Sequence, residues 1–440
     1  MTKDVLVIGG GVAGIQASLD LAEKGVQVHL VEKSPSIGGR MAQLDKTFPT
    51  MDCSICILAP KMADCYDHPN IDLLTYSEVM GVEGAAPNFR VKVLRHARHV
   101  DEDKCTGCVK CTEVCRLKER IPNDFDLGLR KRGAIYLPFL QAVPRIMTID
   151  KERCIYLTKG KCGEKPACKE ACERGAINFE QKDEVIELNV GAIIVAVGFD
   201  VYEPREMFEY GYGKYANVHT AMEYERLICA SGPTGGHLEV EPTKEHPKKI
   251  VFIQCVGSRD LRRNPFCSSV CCMHATKEAL LVKEHYEDTE PYILYTDMRA
   301  VGKGFEEFVE RAQKEYGVRY ICARPGLITE DSQTKKLTVW YEDHSRGGAT
   351  SLEADMVILS TALIPRRGTL ELAKVLGIDV DEHGFFKVRD PVMKPVESTR
   401  DGIFIAGYCE TPKDIPESVA QASGAAAKAC EILEGAAGGV

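Results

Sequence analysis

The sequence predicts an α/β protein with two dinucleotide-binding-type domains and one inserted, cysteine-rich α+β domain. Three observations predict this class. A strand, a glycine-rich turn, a helix and a second strand that ends in an acid follow one another within the first 32 residues. A second strand–turn–helix unit near residue 250 repeats the layering without the glycines. Between the two, eight cysteines at short intervals interrupt the pattern from about residue 98.

The composition restricts the class of protein further. The 440 residues include 56 basic and 65 acidic side chains, a formal charge of −9, so we expect no nucleic-acid partner. No apolar run approaches the roughly 18 residues of a membrane span, and the N-terminus lacks the pattern of a signal peptide. We therefore expect a cytoplasmic protein. Nineteen cysteines with tight C-x2-C spacings indicate thiolate ligands instead of disulfides, as in a protein from an anaerobic cell.

The first unit has the pattern of a dinucleotide site. A strand over 4–8 enters a turn, 9–14, that fits G-x-G-x-x-G, and a helix over 15–24 follows. The next strand ends at Glu32, where an acid hydrogen-bonds a ribose hydroxyl in such units. The predicted contacts of this turn are Gly9, Gly11, Gly14 and Glu32.

Further motifs favour FAD over NAD as the cofactor. The segment 37–40, Ile-Gly-Gly-Arg, resembles the continuation of the dinucleotide turn in many FAD proteins. The segment 401–407 resembles their second FAD motif, although Tyr408 stands where an aspartate is usual. A strand over 192–197 and a helix over 419–426 complete the predicted domain. Its additional FAD contacts are predicted at Lys33, Gly39, Arg40, Gly198, Gly407, Tyr408, Ala420 and Gly424.

The inserted domain carries two sets of cysteines. Cys105, Cys108, Cys111 and Cys115 have the ferredoxin spacing C-x2-C-x2-C-x3-C, whereas Cys154, Cys162, Cys168 and Cys172 are spaced irregularly. In two-cluster ferredoxins, the fourth cysteine of each run ligates the other cluster. The predicted ligand sets are therefore Cys105, Cys108, Cys111 and Cys172 for one cluster, and Cys154, Cys162, Cys168 and Cys115 for the other. Zinc is the alternative, but zinc ribbons pair two C-x2-C knuckles across a longer gap.

A third set replaces the phosphate-binding turn of the second dinucleotide-type unit. A strand over 249–253 leads into it and a helix over 273–281 leaves it, while the layering continues with a helix over 305–315 and a strand over 318–321. Without the glycines we expect no pyridine nucleotide here. Instead we predict one [4Fe–4S] cluster close to the flavin, because the helix N-terminus favours an anionic group. The predicted ligands are Cys255, Cys267, Cys271 and Cys272.

A further pair, Cys53 and Cys56, allows three interpretations. It supplies two of four cluster ligands, it forms a redox-active disulfide beside the flavin, or it consists of structural thiols in a loop. The first requires two more thiols, and only Cys65 is near in sequence. The remaining cysteines, at 229, 322, 409 and 430, stand alone and are expected to be small buried apolar residues.

Together these stretches resemble HdrA of heterodisulfide reductase, an iron–sulfur flavoprotein, in a short form without the N-terminal and C-terminal cluster domains of the HdrA-like family. The segments that carry the resemblance are 9–14, 51–62, 105–172, 255–272 and 407–426. It implies a thioredoxin-reductase-like FAD fold with an inserted ferredoxin-like domain. It also implies an oxidoreductase with FAD, three [4Fe–4S] clusters and a fourth possible at Cys53 and Cys56.

The resemblance further implies electron bifurcation within a complex. We expect other heterodisulfide reductase subunits, a hydrogenase or dehydrogenase module and ferredoxin as partners, and a homodimeric core. A disulfide reductase that uses NAD(P)H with Cys53 and Cys56, and a non-catalytic electron relay, are the alternatives. No catalytic acid or base is predicted, because positioned redox centres suffice for electron transfer. The predicted domains are 1–97, 181–246 and 356–440 for FAD, 98–180 for the inserted clusters, and 247–355 for the degenerate nucleotide domain.

Overall fold

Strands and helices alternate along most of the chain in a computed structural model that describes residues 3–343 and 347–437. The described α-helices are α1 (Val12–Glu23), α2 (Ser54–Asp67), α3 (Lys110–Glu113), α4 (Ile155–Lys159), α5 (Ala167–Glu170), α6 (Ala221–Ile228), α7 (Cys271–His285), α8 (Phe305–Lys314), α9 (Thr369–Leu376) and α10 (Ile415–Ala437). The described strands are β1 (Val5–Ile8), β2 (Val28–Glu32), β3 (Ile71–Thr75), β4 (Ser77–Ala85), β5 (Asn88–Arg95), β6 (Ile121–Pro122), β7 (Lys131–Arg132), β8 (Ile135–Tyr136), β9 (Thr148–Ile149), β10 (Glu184–Val190), β11 (Ala192–Val195), β12 (Phe199–Val201), β13 (Val218–Thr220), β14 (Lys249–Val256), β15 (Glu290–Tyr295), β16 (Arg319–Cys322), β17 (Pro325–Glu330), β18 (Leu337–Glu342), β19 (Ala349–Ala354), β20 (Met356–Thr361), β21 (Leu363–Pro365), β22 (Val388–Asp390), β23 (Lys394–Ser398) and β24 (Ile403–Ile405).

The chain forms two compact units. The first comprises residues 1–42, 56–199 and 365–440, and the second comprises 43–55 and 200–364. The predicted ranges differ from these, since 43–55 groups with the second unit and that unit extends beyond 247–355. The outermost positions of the predicted ranges, 1–2 and 438–440, lie outside the described residues, as do 344–346.

The first unit is built on a seven-stranded sheet in the order β22-β23-β24-β11-β1-β2-β3. Its central strands are parallel and wholly buried, so they consist of apolar residues without alternation. Helix α1 packs against the turn after β1 so tightly that a Cβ at Gly14 would lie 1.8 Å from the carbonyl oxygen of Gly9. Only glycine fits there, which explains the third glycine of the motif.

Residues 98–180 have an apolar core of their own within this unit. It includes Val100, Ile135 and Ile149, and the cysteine side chains border it. The buried guanidinium of Arg98 fastens the beginning of the segment to the FAD-type domain, because it donates hydrogen bonds to Thr75 Oγ1 at 2.5 Å and to the carbonyl oxygen of Pro35 at 2.8 Å.

The second unit contains a parallel sheet in the order β13-β20-β14-β15-β16. Alternate residues of β14 enter two different cores. Ile250 and Phe252 pack beneath helices α6, α7 and α8, and Val251 and Ile253 pack toward the antiparallel sheet of β17, β18 and β19. Both faces of the parallel sheet are therefore covered, as a parallel sheet requires.

Candidate redox site

The first glycine turn connects directly to the acid at the end of β2. The backbone N–H of Gly10 donates to Glu32 Oε2 at 2.7 Å, and that of Ser34 donates to Oε1 at 2.7 Å, so this buried carboxylate is fixed at the mouth of the turn. The N–H of Gly38 donates to the carbonyl oxygen of Gly10 at 2.7 Å. The structure thus brings the three N-terminal FAD motifs together.

The same turn has the open space that a pyrophosphate requires. Gly11 is the N-cap of α1, and no side chain caps the helix there. A Cβ at Gly11 would have no atom within 4 Å, whereas one at Gly9 would lie 2.4 Å from the carbonyl oxygen of Ala196. Gly11 therefore faces space that a ligand can enter, and uncapped helix amides favour an anion. These residues fit FAD.

The flanking predicted contacts differ in exposure. Lys33 is largely exposed and pairs with Glu78 at 2.8 Å, and Arg40 is half-buried. Gly39 approaches Gly11, since its Cβ would lie 2.9 Å from the Gly11 Cα. Gly39 thus borders the open space of the turn. The roles of all three as FAD contacts remain predictions.

The second FAD motif lies between β24 and α10. The N–H of Gly407 donates to Gln421 Oε1 at 2.8 Å. The buried ring of Tyr408 packs on Phe199 with 4.5 Å between ring centroids, so the residue in the place of the usual aspartate serves the core here. Gly198 has φ +72° and, like Gly11, an open Cβ position.

Helix α10 begins at Ile415, four residues before the predicted start. Ala420 and Gly424 therefore lie within the helix and not at its N-terminal amides. Ala420 is exposed, and the Cβ position of Gly424 faces Val396 at 3.7 Å. Their predicted role as FAD contacts is untested.

The four cysteines predicted to ligate the first cluster of the inserted segment line one cavity, and we call them the first set. The lining of this cavity includes Cys105, Cys108, Cys111 and Cys172. Burial raises the pKa of the Cys111 thiol to about 12, and the neighbouring sulfurs of this set and of Cys168 act in the same direction. The backbone N–H of Ala176 donates to Cys172 Sγ at 3.3 Å. Cys172, the last cysteine of the second run, thus joins three cysteines of the first run.

The four cysteines predicted to ligate the other cluster, the second set, line a separate cavity. Its lining includes Cys115, Cys154, Cys162 and Cys168. Burial raises the pKa of the Cys168 thiol to about 11, and the sulfurs of Cys154, Cys115 and Cys162 add to this effect. The structure places Cys115 and Cys172 in the exchanged positions that the ferredoxin rule predicts. Their service as ligands remains a prediction.

The third set gathers where β14 ends and α7 begins. Burial raises the pKa of the Cys271 thiol well above its ordinary range, and the sulfurs of Cys272, Cys255 and Cys267 reinforce the shift. Cys255 has φ +61°, a conformation that non-glycine residues rarely adopt, and the register of β14 against β20 shifts between Ile253 and Val256. Such irregularities re-aim side chains and are common at functional sites.

Each sulfur of the third set also has a hydrogen-bond donor within reach. The guanidinium of Arg259 reaches Cys255 and pairs with Asp297 at 2.6 Å. The hydroxyl of Ser268 reaches Cys271, and the backbone N–H of Arg299 reaches Cys272. The N–H of Ser269 donates to Cys267 Sγ at 3.4 Å, which completes the set. Sequence reasoning missed these donors, because their only signal is that they follow or face the cysteines.

The structure joins Cys53 and Cys56 in a disulfide, the form that the second interpretation describes. This does not test whether the reduced pair ligates a cluster. Cys65 is buried, its thiol donates to the carbonyl oxygen of Ile15 at 3.7 Å, and burial raises its pKa to about 12. Of the lone cysteines, those at 229, 409 and 430 are buried as expected, but Cys322 is exposed, since its side chain extends from edge strand β16.

Comparisons with known proteins fit this arrangement. Residues 4–51 match the family model described as FAD dependent oxidoreductase. The chain is 55% identical over 434 residues to an iron–sulfur subunit of CoB–CoM heterodisulfide reductase, of the HdrA type, from Methanopyrus kandleri; the alignment covers 98% of this chain and 65% of that protein. It is 51% identical to the corresponding subunit of the H2:CoB–CoM heterodisulfide, ferredoxin reductase of Methanothermobacter thermautotrophicus, with coverage of 96% and 63%.

The chain is a homologue of HdrA of heterodisulfide reductase. This confirms the resemblance found in the sequence. The chain spans less than two thirds of the length of these heterodisulfide reductase proteins. The matching FAD dependent oxidoreductase model supports FAD as the cofactor, and the name of the relatives suggests iron–sulfur centres.

The predicted fold class is also confirmed. Thioredoxin reductase of Lactococcus lactis superimposes with a TM-score of 0.53 at 17% identity, over 99% of this heterodisulfide reductase homologue and all of that enzyme. At such low identity the likeness concerns the fold alone. Within the described residues, no helix combines the length and apolarity that crossing a bilayer requires.

Proposed function

We propose that the chain is the FAD- and [4Fe–4S]-containing electron-transfer subunit of a heterodisulfide-reductase-like complex. The observation that carries this proposal is the grouping of twelve cysteines into three sets of four. When bound, flavin accepts two electrons and can release them singly, whereas a [4Fe–4S] cluster carries one. Such a pair of cofactors splits or merges electron flow, so we also propose flavin-based bifurcation or confurcation.

The residues of this chain would hold and tune these groups. Four thiolates are the ligand number of a [4Fe–4S] cubane. In the inserted segment, cysteines of both sets border an apolar core, although Cys108 is exposed. Zinc would also accept four thiolates, but the exchanged positions of Cys115 and Cys172 are those of a two-cluster ferredoxin. We therefore propose iron–sulfur clusters at all three sets, and leave a fourth at Cys53 and Cys56 to experiment.

The proposed partners follow from the relatives. The Methanothermobacter thermautotrophicus protein is named for H2, the CoB–CoM heterodisulfide and ferredoxin. We propose a complex of this chain with other heterodisulfide reductase subunits, a hydrogenase or dehydrogenase module and ferredoxin, around a homodimeric core in the cytoplasm. Its iron–sulfur centres would then exchange electrons with proteins and not with a small substrate.

A second candidate is a pyridine nucleotide–disulfide reductase. The disulfide of Cys53 and Cys56 favours it. The turn after β14 counts against it, because Cys255 begins a segment without the glycine motif and the ring of Tyr202 lies 2.5 Å from the Cβ position of Gly257. A pyrophosphate would have to compete with this ring for the turn.

Metal and reductant measurements test both candidates. The protein is prepared without oxygen, with clusters and flavin restored, as the parent and as Cys271→Ala and Cys322→Ala. We expect Cys271→Ala to lose about four irons by ligand count, with flavin retained, and Cys322→Ala to lose none. We expect a one-electron reductant to reduce the parent and NAD(P)H to leave it oxidised. Full iron content in Cys271→Ala, or rapid reduction by NADPH, would contradict the proposal.

A further inference from the structure

The second unit buries four ionisable side chains in one contact group that the cluster and flavin motifs do not use. Glu225 of α6 and Glu278 of α7 have no exposed surface, Lys277 is 1% exposed, and His274 is 16% exposed. His274 Nε2 lies 2.7 Å from Glu225 Oε1 and 3.4 Å from Glu278 Oε1. The ammonium of Lys277 contacts Glu225 Oε1. Ionised groups rarely occur in such a position unless paired or functional.

Glu278 is the anomalous member of this group. Among the described residues, neither of its carboxyl oxygens has a hydrogen-bond partner. Its Oε1 lies 3.4 Å from His274 Nε2 without forming a hydrogen bond. A buried carboxylate with so little compensation is costly, and binding a proton reduces that cost. Burial accordingly raises the pKa of Glu278 from its ordinary value, against the opposing effects of His274 and Lys277.

The paired members explain why the group is stable although it is buried. Burial lowers the pKa of Lys277 to about 8, while the charges of Glu278 and Asp45 act in the opposite direction. The ammonium itself contacts the Glu225 carboxylate. The second oxygen of Glu225 accepts a hydrogen bond from the backbone N–H of Asp45 at 2.8 Å. Glu225 and Lys277 are thus paired with each other, and Glu278 is the carboxyl of the group that has no hydrogen bond in the described part of the chain.

The other charged and titratable groups that face this site come from two elements. Asp45 and Lys46 lie on the segment 43–55. The charge of Asp45 raises the pKa of Lys277, and that of Lys46 lowers it. The buried hydroxyl of Tyr224, on α6, has no hydrogen-bond partner within the part of the chain that the structure describes, and Tyr224 interacts with Glu278. None of these groups gives Glu278 a permanent partner.

Two simpler explanations account for less. Oxygens of Glu225 and Glu278 and a nitrogen of His274 lie within 4.8 Å of one another, a spacing that could hold a metal ion. The ammonium of Lys277 already occupies Glu225 Oε1, however, and a cation beside it would be repelled. A purely structural ion pair would need only Glu225 and Lys277, and would leave Glu278 unexplained.

The position of the group on α7 suggests its use. The helix begins with Cys271 and Cys272 of the third cysteine set, and Glu278 follows six residues after Cys272, about 9 Å along the axis at roughly 1.5 Å per residue. At an effective dielectric constant of about 20, a unit charge at that distance changes a proton affinity on the order of tenfold. An electron added at the cysteine set is therefore felt at Glu278.

We propose that Glu278, supported by Glu225, Lys277 and His274, is a redox-linked proton site of the third cysteine set. When one electron, delivered by the flavin or by a one-electron carrier protein, reaches that set, Glu278 takes up one proton from solvent past His274. When the electron leaves, Glu278 releases the proton. The added charge is compensated, so the electron is held at a less negative potential. This inference rests on the proposed cluster at Cys255, Cys267, Cys271 and Cys272.

The test measures the midpoint potential of that cluster against pH, by electron paramagnetic resonance on the complete anaerobic protein. A group that binds a proton more tightly after reduction makes the potential fall as pH rises between its two pKa values. The limit is about 59 mV for each tenfold change in proton concentration with one electron per proton. In Glu278→Gln the amide imitates the protonated acid, so we expect a pH-independent potential close to the low-pH value of the parent.

Glu284→Gln is the matched control, because Glu284 lies on the same helix but is exposed. It should keep the pH dependence of the parent. An infrared difference spectrum of reduction should show a protonated carboxyl band in the parent and in Glu284→Gln, and none in Glu278→Gln. A parent whose potential does not change with pH overturns the inference without recourse to a variant. So does a divalent cation held by the parent and lost in Glu278→Gln. Absence of any signal from this cluster would refute the proposed function itself.

Discussion

Neither the backbone conformation of Gly11 nor its protein neighbours require a glycine, so the open space at its Cβ position is available to a ligand. Its φ of −81° suits any amino acid, and no atom lies within 4 Å of its Cβ position. Gly11→Val should therefore change the free energy of unfolding by about 1 kcal/mol at most, as for an exchange at a helix N-cap. The valine would nevertheless occupy the space that the pyrophosphate enters. We expect the variant to fold and to contain little flavin, measured by absorbance and by thermal unfolding.

The control for this prediction is Gly326→Val, in β17. Gly326 also has an open Cβ position, but it lies in the other unit and belongs to none of the FAD motifs. It should retain the flavin content of the parent. Normal flavin content in Gly11→Val would show that the turn does not hold the pyrophosphate.

At the level of single residues, the sequence predicted correctly those neighbouring positions that belong to one short motif. The glycine turn and Glu32 are brought together because they belong to one βαβ unit, and the helix that follows β1 fixes their spacing. The group around Glu278 was missed. In the sequence, His274, Lys277 and Glu278 resemble the exposed charges of an ordinary helix. Only the tertiary structure shows that α7 is covered by α6 and by the sheet, so that residues 275–282 are all buried.

At the level of elements, the short helices α3 and α5 bring two cysteine runs together. Cys111 lies on α3 and Cys168 on α5, and each run sends its last cysteine to the cavity of the other. Double variants test this exchange. Cys115→Ala with Cys154→Ala should lose about four irons, because both residues serve one cluster, whereas Cys115→Ala with Cys111→Ala should lose about eight. Iron and sulfide analysis of the anaerobic protein distinguishes the two results.

Cys430→Ala controls for the loss of a buried thiol, since Cys430 lies on α10, far along the chain from either run. It should keep all its iron. The opposite result would be a loss of about four irons from the double variant at 115 and 111 and of about eight from the double variant at 115 and 154. It would mean that each run ligates its own cluster and that the predicted exchange is wrong.

Element boundaries were predicted less accurately than element types, for local reasons. Helix α10 begins early because Asp414 and Glu417 cap it reciprocally, with the N–H of Glu417 donating to Asp414 Oδ1 at 2.8 Å. Strand β14 continues to Val256, although the apolar run ends at Ile253, because the backbone keeps pairing with β20 after the irregularity at Cys255. The polar ladder of β17, β18 and β19 gave no clear periodic signal and was not predicted.

At the level of the whole molecule, the sequence predicted the order of the parts but not how the chain distributes itself between units. The segment 43–55 follows the first glycine unit directly, yet it packs within the second unit, where Gln43 accepts a hydrogen bond from Arg226 through its carbonyl oxygen. No local pattern marks such an excursion, because long-range contacts determine it. The disulfide-bonded residues Cys53 and Cys56 lie where the chain passes from the second unit back to the first.

The charge of the molecule is also unevenly distributed along the chain. Residues 98–180 carry 17 basic and 13 acidic side chains, whereas the whole chain is acidic. Exposed basic side chains near redox centres, such as Lys131, favour encounter with an acidic carrier, because opposite charges steer association. We expect electron transfer from reduced ferredoxin to slow as salt increases, since salt screens this attraction.

Lys131, an exposed residue of β7 within the short basic loop 129–133 of this segment, gives the sharper test. Lys131→Glu should slow reduction by ferredoxin several-fold at low salt and little at high salt, because a peripheral charge acts mainly on the association rate. Lys428→Glu changes the total charge equally but lies on α10, outside the basic segment, so its rate should match that of the parent. Stopped-flow absorbance of the anaerobic protein measures all three. Equal slowing in both variants would mean that total charge governs the encounter, and no slowing in Lys131→Glu would mean that ferredoxin does not approach this loop.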